Sequence, residues 1–167
     1  MENYNREIVL PQPDEISTRE REDAMGSYLM MFAAWAVGLP LPFLSLIASI
    51  IYYYVNKKES KFVGFHAFQS LITQIPISFL NAGVIIWLLV ILGSSFRQWE
   101  SFIVFSIFSG IINLLYVIFS LVAAVKARRG QFFYFFVFGM IAFDKFYGSG
   151  ADKSAAKTRE NLPPKGY

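Results

Sequence analysis

The chain has 167 residues, of which 55% are hydrophobic and only 16% are charged. A soluble domain carries about 25% charged residues, and here the charges collect at the two ends and in short clusters between long uncharged runs. This distribution predicts an integral membrane protein that crosses the bilayer several times. The net charge of +3 does not indicate nucleic-acid binding, because no basic stripe is interleaved with aromatic residues. The absence of cysteine excludes disulfides and thiolate sites.

Residues 1–27 are polar and are predicted to form an N-terminal tail with a short helix. Ser17, followed three residues later by Glu20, fits a capping box, in which each side chain satisfies a backbone amide at the start of a helix. The helix is therefore expected to begin there, and residues 1–16 are expected to be mobile. No cleavable signal peptide is expected, since the chain does not begin with a basic segment followed by an apolar run.

The membrane domain is predicted to cover residues 28–147, with three spanning helices. The first apolar segment, 28–55, contains Gly38-Leu39-Pro40-Leu41-Pro42. Because proline removes an amide donor and clashes with the preceding turn, this segment is expected to be kinked or broken. Either its two pieces form one tilted span, or the first piece is a separate short helix at the membrane. The second and third spans are predicted at 62–92 and 101–125, and each is long enough to cross a hydrocarbon core of ~30 Å.

Polar residues on the second and third spans fall on one face of each helix when plotted at about 100° per residue. An unpaired polar group in hydrocarbon is unfavourable, so each face is expected to contact another helix, a partner protein or a wet cavity. Packing of the two spans on each other is the simplest of these interpretations. The predicted packing or partner-binding face consists of His66, Gln69, Ser70, Thr73, Gln74, Asn81, Ser106, Gly110 and Asn113.

The aromatic segment Phe132–Phe143 has too few residues for an ordinary span. It follows a basic cluster directly, so residues 131–147 are predicted to form an interfacial or re-entrant helix. The polar residues 148–167 are predicted to be a disordered tail, because they contain too few apolar side chains to form a core.

Basic residues near the spans predict the orientation. With three full spans, the 57–61 turn and the basic C-terminal tail lie on one side of the membrane, and the N-terminal tail lies on the other. The positive-inside rule then places the turn and the C-terminus in the cytoplasm. The orientation-setting residues are Lys57, Lys58, Lys61, Lys126, Arg128 and Arg129.

The sequence predicts no catalytic, cofactor-binding or metal site. His66 is the only histidine, and no Asp or Glu lies near it in the apolar segments to form a nucleophile–base arrangement. A histidine hydrogen-bonded at the start of its helix is the expected role. No phosphate-binding loop or dinucleotide-binding motif is present. The chain is therefore predicted not to be an enzyme.

Three stretches carry a family resemblance: Lys61–Ser70 (KFVGFHAFQS), Ala124–Tyr134 (AVKARRGQFFY) and Gly38-Leu39-Pro40. Together they resemble a broad bacterial family of small membrane proteins of unassigned function. That family is related to the twenty-kilodalton membrane subunit of the chloroplast inner-envelope protein-import translocon. The chain departs from the family pattern at Ser70, where the family usually has alanine, and after Tyr134, where the family often has Arg-Tyr-Pro.

The resemblance and the two polar faces suggest a non-enzymatic subunit of a larger inner-membrane assembly, accessory to protein translocation or insertion. Its expected partners are the lipid bilayer and other integral membrane proteins of a translocon-type complex, with no nucleic acid and no cofactor. Two alternatives remain open. One is a small permease or channel with a polar path between spans two and three, and the other is a lipid-organising structural protein.

Overall fold

The computed structural model describes residues 10–33, 43–93, 99–148 and 161–164. Within these ranges the protein is all-α, which confirms the all-helical part of the predicted fold. Short 3-10 turns cover Pro13–Glu15 and Met30–Phe32. The five α-helices are α1 (Thr18–Leu29), α2 (Leu44–Asn56), α3 (Lys61–Gly93), α4 (Trp99–Arg128) and α5 (Phe136–Tyr147).

Helix α1 begins at the predicted capping box. The Glu20 amide donates to Ser17 Oγ at 3.3 Å, and the Ser17 amide donates to the Glu20 carboxylate at 2.9 Å. Hydrogen bonding to the Ser17 side chain holds the pKa of Glu20 below its ordinary value. The capping-box prediction is therefore confirmed, and the helix then packs against both α3 and α4.

Helices α3 and α4 are the two long apolar elements, with 33 and 30 residues. At about 1.5 Å per residue, each is longer than a ~30 Å hydrocarbon core, and by length and composition each can cross a membrane. Pro76 lies inside α3 without ending it. Helix α2 has only 13 residues, and the Pro40–Pro42 break lies outside the described residues. Among the described residues, two helices are thus long enough to cross a membrane, and the predicted third spanning helix is not confirmed.

The halves of α3 and α4 that flank residues 94–98 form an apolar hairpin, which we define as residues 79–93 and 99–115. Many of its large side chains point outward with more than half of their area exposed, a surface that is typical of helices in contact with lipid. These outward side chains include Phe79, Ile86, Leu89, Leu92, Val104, Ile107, Phe108 and Leu114.

The opposite ends of α3 and α4 pack with the remaining helices in a region that we call the head. It consists of α1, α2, α5, residues 61–78 of α3, residues 116–128 of α4, and residues 129–135, which we call the connector. Ala123 and Ala127 of α4 are completely buried there, since a small side chain lets another helix approach closely. The core of the head is mainly aromatic and consists of Leu10, Ile16, Ala24, Tyr28, Phe62, Phe65, Ala123, Ala124, Ala127, Phe132, Phe135, Ala142, Phe143 and Tyr147.

The segment predicted to be one interfacial or re-entrant helix, 131–147, has two parts. Residues 131–135 are not helical, and α5 begins only at Phe136. Phe132 and Phe135 lie in the core, each only 7% exposed. A re-entrant helix is therefore not confirmed, because the first part of the segment is a connector that the head buries.

Both ends of the described chain join the head. Leu10 and Ile16, in the segment predicted to be mobile, are almost fully buried. Asn161, in the tail predicted to be disordered, donates from Nδ2 to the Pro11 carbonyl at 2.7 Å and to the Gly130 carbonyl at 2.9 Å. Its Oδ1 accepts from the Phe132 amide at 3.1 Å. Residue 161 thus fixes the N-terminal segment against the connector.

Ion pairs place α1 beside the 57–61 turn. Arg19 Nη2 lies 3.0 Å from Glu59 Oε1, and Arg128 Nη1 lies 2.6 Å from Glu22 Oε1. The N-terminal tail and the turn were expected on opposite sides of the membrane, and this expectation is wrong. The reason is that α1 runs alongside the ends of α3 and α4, so its charged residues meet those of the turn.

The Asp23 carboxyl in this charged cluster makes the stability of the head dependent on pH. Burial raises the pKa of Asp23 above its ordinary value, 3.8, and Glu59 raises it further, while Arg19 opposes the shift. The Asp23 carboxyl therefore binds its proton more tightly in the folded head than in the unfolded chain. The stabilisation that this proton gives is complete below the pKa of Asp23 in the unfolded chain, and it is lost as the pH rises through the pKa of Asp23 in the folded head.

Asp23→Asn is therefore expected to flatten the loss of thermal stability as the pH rises above 3.8, the ordinary pKa of the group. The measurement is thermal unfolding in detergent across that range. Asp14→Asn, at an exposed residue of the first 3-10 turn, is the matched control and should leave the profile unchanged. An Asp23→Asn profile parallel to that of the wild type would contradict the assignment.

A buried polar network as the candidate functional site

Helix α1, helix α3 and the connector meet at three buried polar side chains. The Tyr28 hydroxyl lies 2.9 Å from His66 Nδ1, and Gln69 Nε2 donates to the same hydroxyl oxygen at 2.8 Å. Because Gln69 supplies a proton to that oxygen, the hydroxyl proton is free to be donated to His66 Nδ1. In this arrangement His66 Nδ1 is the acceptor of the hydrogen bond from Tyr28.

Gln69 ties the connector to this group. Its Nε2 also donates to the Phe133 carbonyl at 2.8 Å, and its Oε1 accepts from the Phe135 amide at 3.4 Å. Gln69 therefore satisfies two backbone groups of residues 131–135, which are not helical. One side chain thus joins α1, α3 and the connector.

An aromatic shell encloses His66, which is completely buried. The ring centroids of Phe62, Phe65 and Phe132 lie 4.5, 5.0 and 5.7 Å from that of His66. Within the described residues, His66 Nε2 has no hydrogen-bond partner. His66 was predicted to be a hydrogen-bonded residue at the start of its helix. It forms one such bond, to Tyr28, in the interior of the head.

The remaining predicted residues of the first turns of α3 face α1 and α2. Ser70 Oγ donates to the Ser27 carbonyl at 2.8 Å, and Ser49 Oγ donates to Gln74 Oε1. Thr73 bonds its own helix, at the Gln69 carbonyl, at 2.9 Å. This half of the polar face thus contacts the head helices that precede it in the chain.

The deeper half of the predicted face joins α3 to α4. Asn81 Nδ2 donates to Asn113 Oδ1 at 3.1 Å, and Asn113 Nδ2 donates back to Asn81 Oδ1 at 2.8 Å. Asn113 Nδ2 also reaches the Ser109 carbonyl at 2.8 Å. Ser106 Oγ is buried and has no hydrogen-bond partner among the described residues, whereas Gly110 is exposed and borders open space.

Replacing either asparagine of this pair with leucine is expected to lower the free energy of unfolding by about 1 kcal/mol, since side-chain hydrogen bonds between membrane helices contribute roughly 0.6 kcal/mol and rarely exceed 1.7 kcal/mol. Asn113→Leu should have the larger effect, because it also removes the bond to Ser109. The double variant should be closer to the wild type than the sum of the single effects. Unfolding in a detergent titration gives the three values, and strict additivity would contradict the pairing.

The six predicted orientation-setting residues lie at the head or in the adjoining turn, and most of them contact aromatic rings or acids. Lys57 Nζ lies 4.1 Å from the Tyr54 ring centroid, Lys61 Nζ 6.0 Å from that of Tyr147, and Lys126 Nζ 5.6 Å from that of Phe133. Arg128 pairs with Glu22, and Lys58 and Arg129 are exposed. Such groups are typical of a membrane–water interface, where aromatic rings and cations meet the headgroups.

Sequence reasoning missed the partners of the polar face. Tyr28 is the first residue of the first apolar segment and was assigned to a span, while Ser27 was assigned to the tail. Ser27 and Tyr28 are adjacent and lie at the end of a helix with a predicted capping box. This position was the sequence feature that could have indicated that both belong to one packed helix. The Phe133 carbonyl and Phe135 amide carry no side-chain signal, so their contact with Gln69 could not be read from the chain.

The network is suited to holding backbone segments together. Tyr28, His66 and Gln69 are joined to one another by hydrogen bonds. Across the part of the chain that the structure describes, no cluster of three or more His, Asp or Glu side chains could hold a metal ion.

Comparison with known proteins gives a family match. The family model described as MamF_MmsF, "Magnetosome magnetite crystal formation protein family", matches residues 22–141. This range contains α2, α3 and α4 in full, with most of α1 and the beginning of α5. No curated protein and no solved structure matches the chain significantly.

The match corrects the expectations that came from the resemblance. Kinship with the bacterial relatives of the chloroplast translocon subunit is wrong, and so is the predicted role in protein translocation or insertion. The permease and lipid-organising alternatives gain no support from the family description. The residues behind the resemblance, Gly64, His66 and Gln69, are helix-packing residues in the head. Such residues report how helices pack rather than what a protein does.

Proposed function

The chain belongs to the magnetosome magnetite crystal formation protein family, and from this premise we propose that it acts in the magnetosome membrane during the formation of magnetite crystals. The observation that carries the proposal is the family match, which extends over both long apolar helices. The exposed apolar hairpin is in keeping with contact to lipid and to other membrane proteins. We propose that the role is not catalytic.

We propose further that α3 and α4 cross the membrane as a hairpin, with the head on the cytoplasmic side. The support is the distribution of charge, because basic residues of α1, the turn, the end of α4 and α5 are all found at the head. The segment between α3 and α4 contains a single basic residue, Arg97. An excess of Lys and Arg favours the cytoplasmic side.

Cysteine labelling tests this orientation, since the chain contains no cysteine of its own. A cysteine in place of Lys58 is expected to react with a membrane-impermeant maleimide only after the cells are opened. A cysteine in place of Trp99, at the far end of the hairpin, is expected to be shielded in sealed isolated magnetosomes and to react only after detergent opens them. Labelling of Lys58→Cys from outside would reverse the proposed orientation.

The function is tested by deleting the gene in its magnetite-forming host and measuring crystal number and size by electron microscopy. Fewer or smaller crystals are expected, and the wild-type gene should restore them. Gln69→Leu, which opens the head, should fail to restore them, whereas Lys58→Gln, at an exposed residue of the turn, should succeed. Crystals unchanged by the deletion would refute the proposal.

A further inference from the structure

An apolar groove of about 350 Å³ lies between α4, the connector and α5. Its volume falls in the range of small-molecule sites, roughly 300–1,000 Å³. The lining is mainly aromatic and consists of Phe119, Phe133, Tyr134, Phe135, Phe136, Met140 and Pro164. Such a lining favours a hydrocarbon chain over a polar ligand.

The lip of the groove exposes more hydrophobic surface than the head needs for its own packing. Phe136 is 80% exposed and has a φ of +25°, a backbone conformation that is rare for a bulky residue. Val137 next to it is 65% exposed. The groove therefore opens directly onto the apolar outer face of α5, so a chain in the surrounding lipid can enter it sideways.

The positively charged side chain of Lys126 lies next to the groove. Lys126 Nζ lies 5.6 Å from the ring centroid of Phe133, one of the lining residues. Whereas Arg128, two residues further on, is paired with Glu22, Lys126 forms no ion pair with any residue that the structure describes. An uncompensated ammonium next to an apolar slot is complementary to a molecule that has an anionic head and an acyl tail.

We propose that this groove binds one acyl chain of an anionic phospholipid, whose phosphate contacts Lys126. The site is separate from the buried polar network and does not depend on the proposed role in crystal formation. Lys126 supplies the charge recognition, and the aromatic walls hold the chain against α4 and α5.

Native mass spectrometry of the purified, delipidated full chain tests the site. With phosphatidylglycerol carrying 16-carbon chains, saturation at one lipid per chain is expected. Lys126→Gln should weaken binding on the order of five-fold, the effect of one basic residue near an anionic headgroup. Met140→Trp, which fills the groove, should abolish binding. The matched controls are Lys58→Gln at the charged end and Ile141→Trp on α5 outside the lining, and both should bind normally.

Several results would overturn the proposal. Equal binding of phosphatidylcholine would show that Lys126 does not recognise an anionic headgroup. Competition by glycerol phosphate alone would show that the acyl chain is not needed for binding. Equal loss in the two controls would indicate a general lipid shell, and a lipid-free dimer that Met140→Trp disrupts would indicate a second copy in the groove. Thermal unfolding of each variant is measured in parallel. Lys126→Gln changes an exposed side chain, so it decides the matter if Met140→Trp fails to fold.

Discussion

Gln69→Leu is expected to lower the free energy of unfolding by about 2–4 kcal/mol. Leucine has nearly the same volume but forms no hydrogen bond. The Phe133 carbonyl and the Phe135 amide would lose their partner in a buried site, and the Tyr28 hydroxyl would lose a donor. An unsatisfied buried backbone group is more unfavourable than a lost exposed hydrogen bond. Titration with a denaturing detergent, followed by circular dichroism, measures the change.

Gln74→Leu is the matched comparison, because it makes the same substitution at another buried glutamine of α3, five residues further on. Gln74 accepts from the Ser49 hydroxyl, and a hydroxyl can turn to a carbonyl of its own helix when that acceptor is removed. Its effect should therefore be clearly smaller than that of Gln69→Leu. Equal effects would show that Gln69 is not the point at which the connector is held.

Gly139→Ala is expected to lower the free energy of unfolding by about 1–3 kcal/mol, the usual effect of an extra methyl group in a packed core. The added Cβ would lie 2.7 Å from Tyr134 Cα and 2.9 Å from Gln69 Oε1. Since the first of these atoms belongs to the backbone, α5 or the connector must move. The movement also disturbs Gln69, whose side chain bonds the connector at Phe133 and Phe135.

Gly110→Ala is the control for this substitution. Gly110 lies in α4, and a Cβ there meets no atom within 4 Å. The methyl group should therefore be tolerated, and it should stabilise the helix by up to about 1 kcal/mol through its higher helix propensity. Thermal unfolding in detergent should thus change in opposite directions for the two variants. A similar loss of stability at both positions would mean that the damage does not arise from crowding at Gly139.

Several features of the fold could be predicted from local sequence alone. The capping box of Ser17 and Glu20 depends on two side chains three residues apart, so it could be located before any tertiary contact was known. The long apolar runs of α3 and α4 were equally visible, because a spanning helix is defined by length and composition.

The head could not be predicted, because its order depends on contacts between distant parts of the chain. Within residues 131–147 most side chains are apolar, so periodicity gave no sign that a connector ends and a helix begins at Phe136. The short polar helix α1 resembled a solvated lead-in, since most of its side chains are polar and only Ala24, Ser27 and Tyr28 are buried. The face carrying Gln69 was found, but its partners were not.

The contacts of Asn161 have a consequence for the order in which the protein is made. Its side chain bonds the Pro11 carbonyl, 150 positions earlier in the chain. A ribosome produces the N-terminal part first, so α3 and α4 can enter the membrane before the residue that closes the head exists. We therefore expect biogenesis in two stages, with insertion of the hairpin followed by closure of the head. In that sequence, the segment around Pro11 lacks its contacts with Asn161 until residue 161 has left the ribosome.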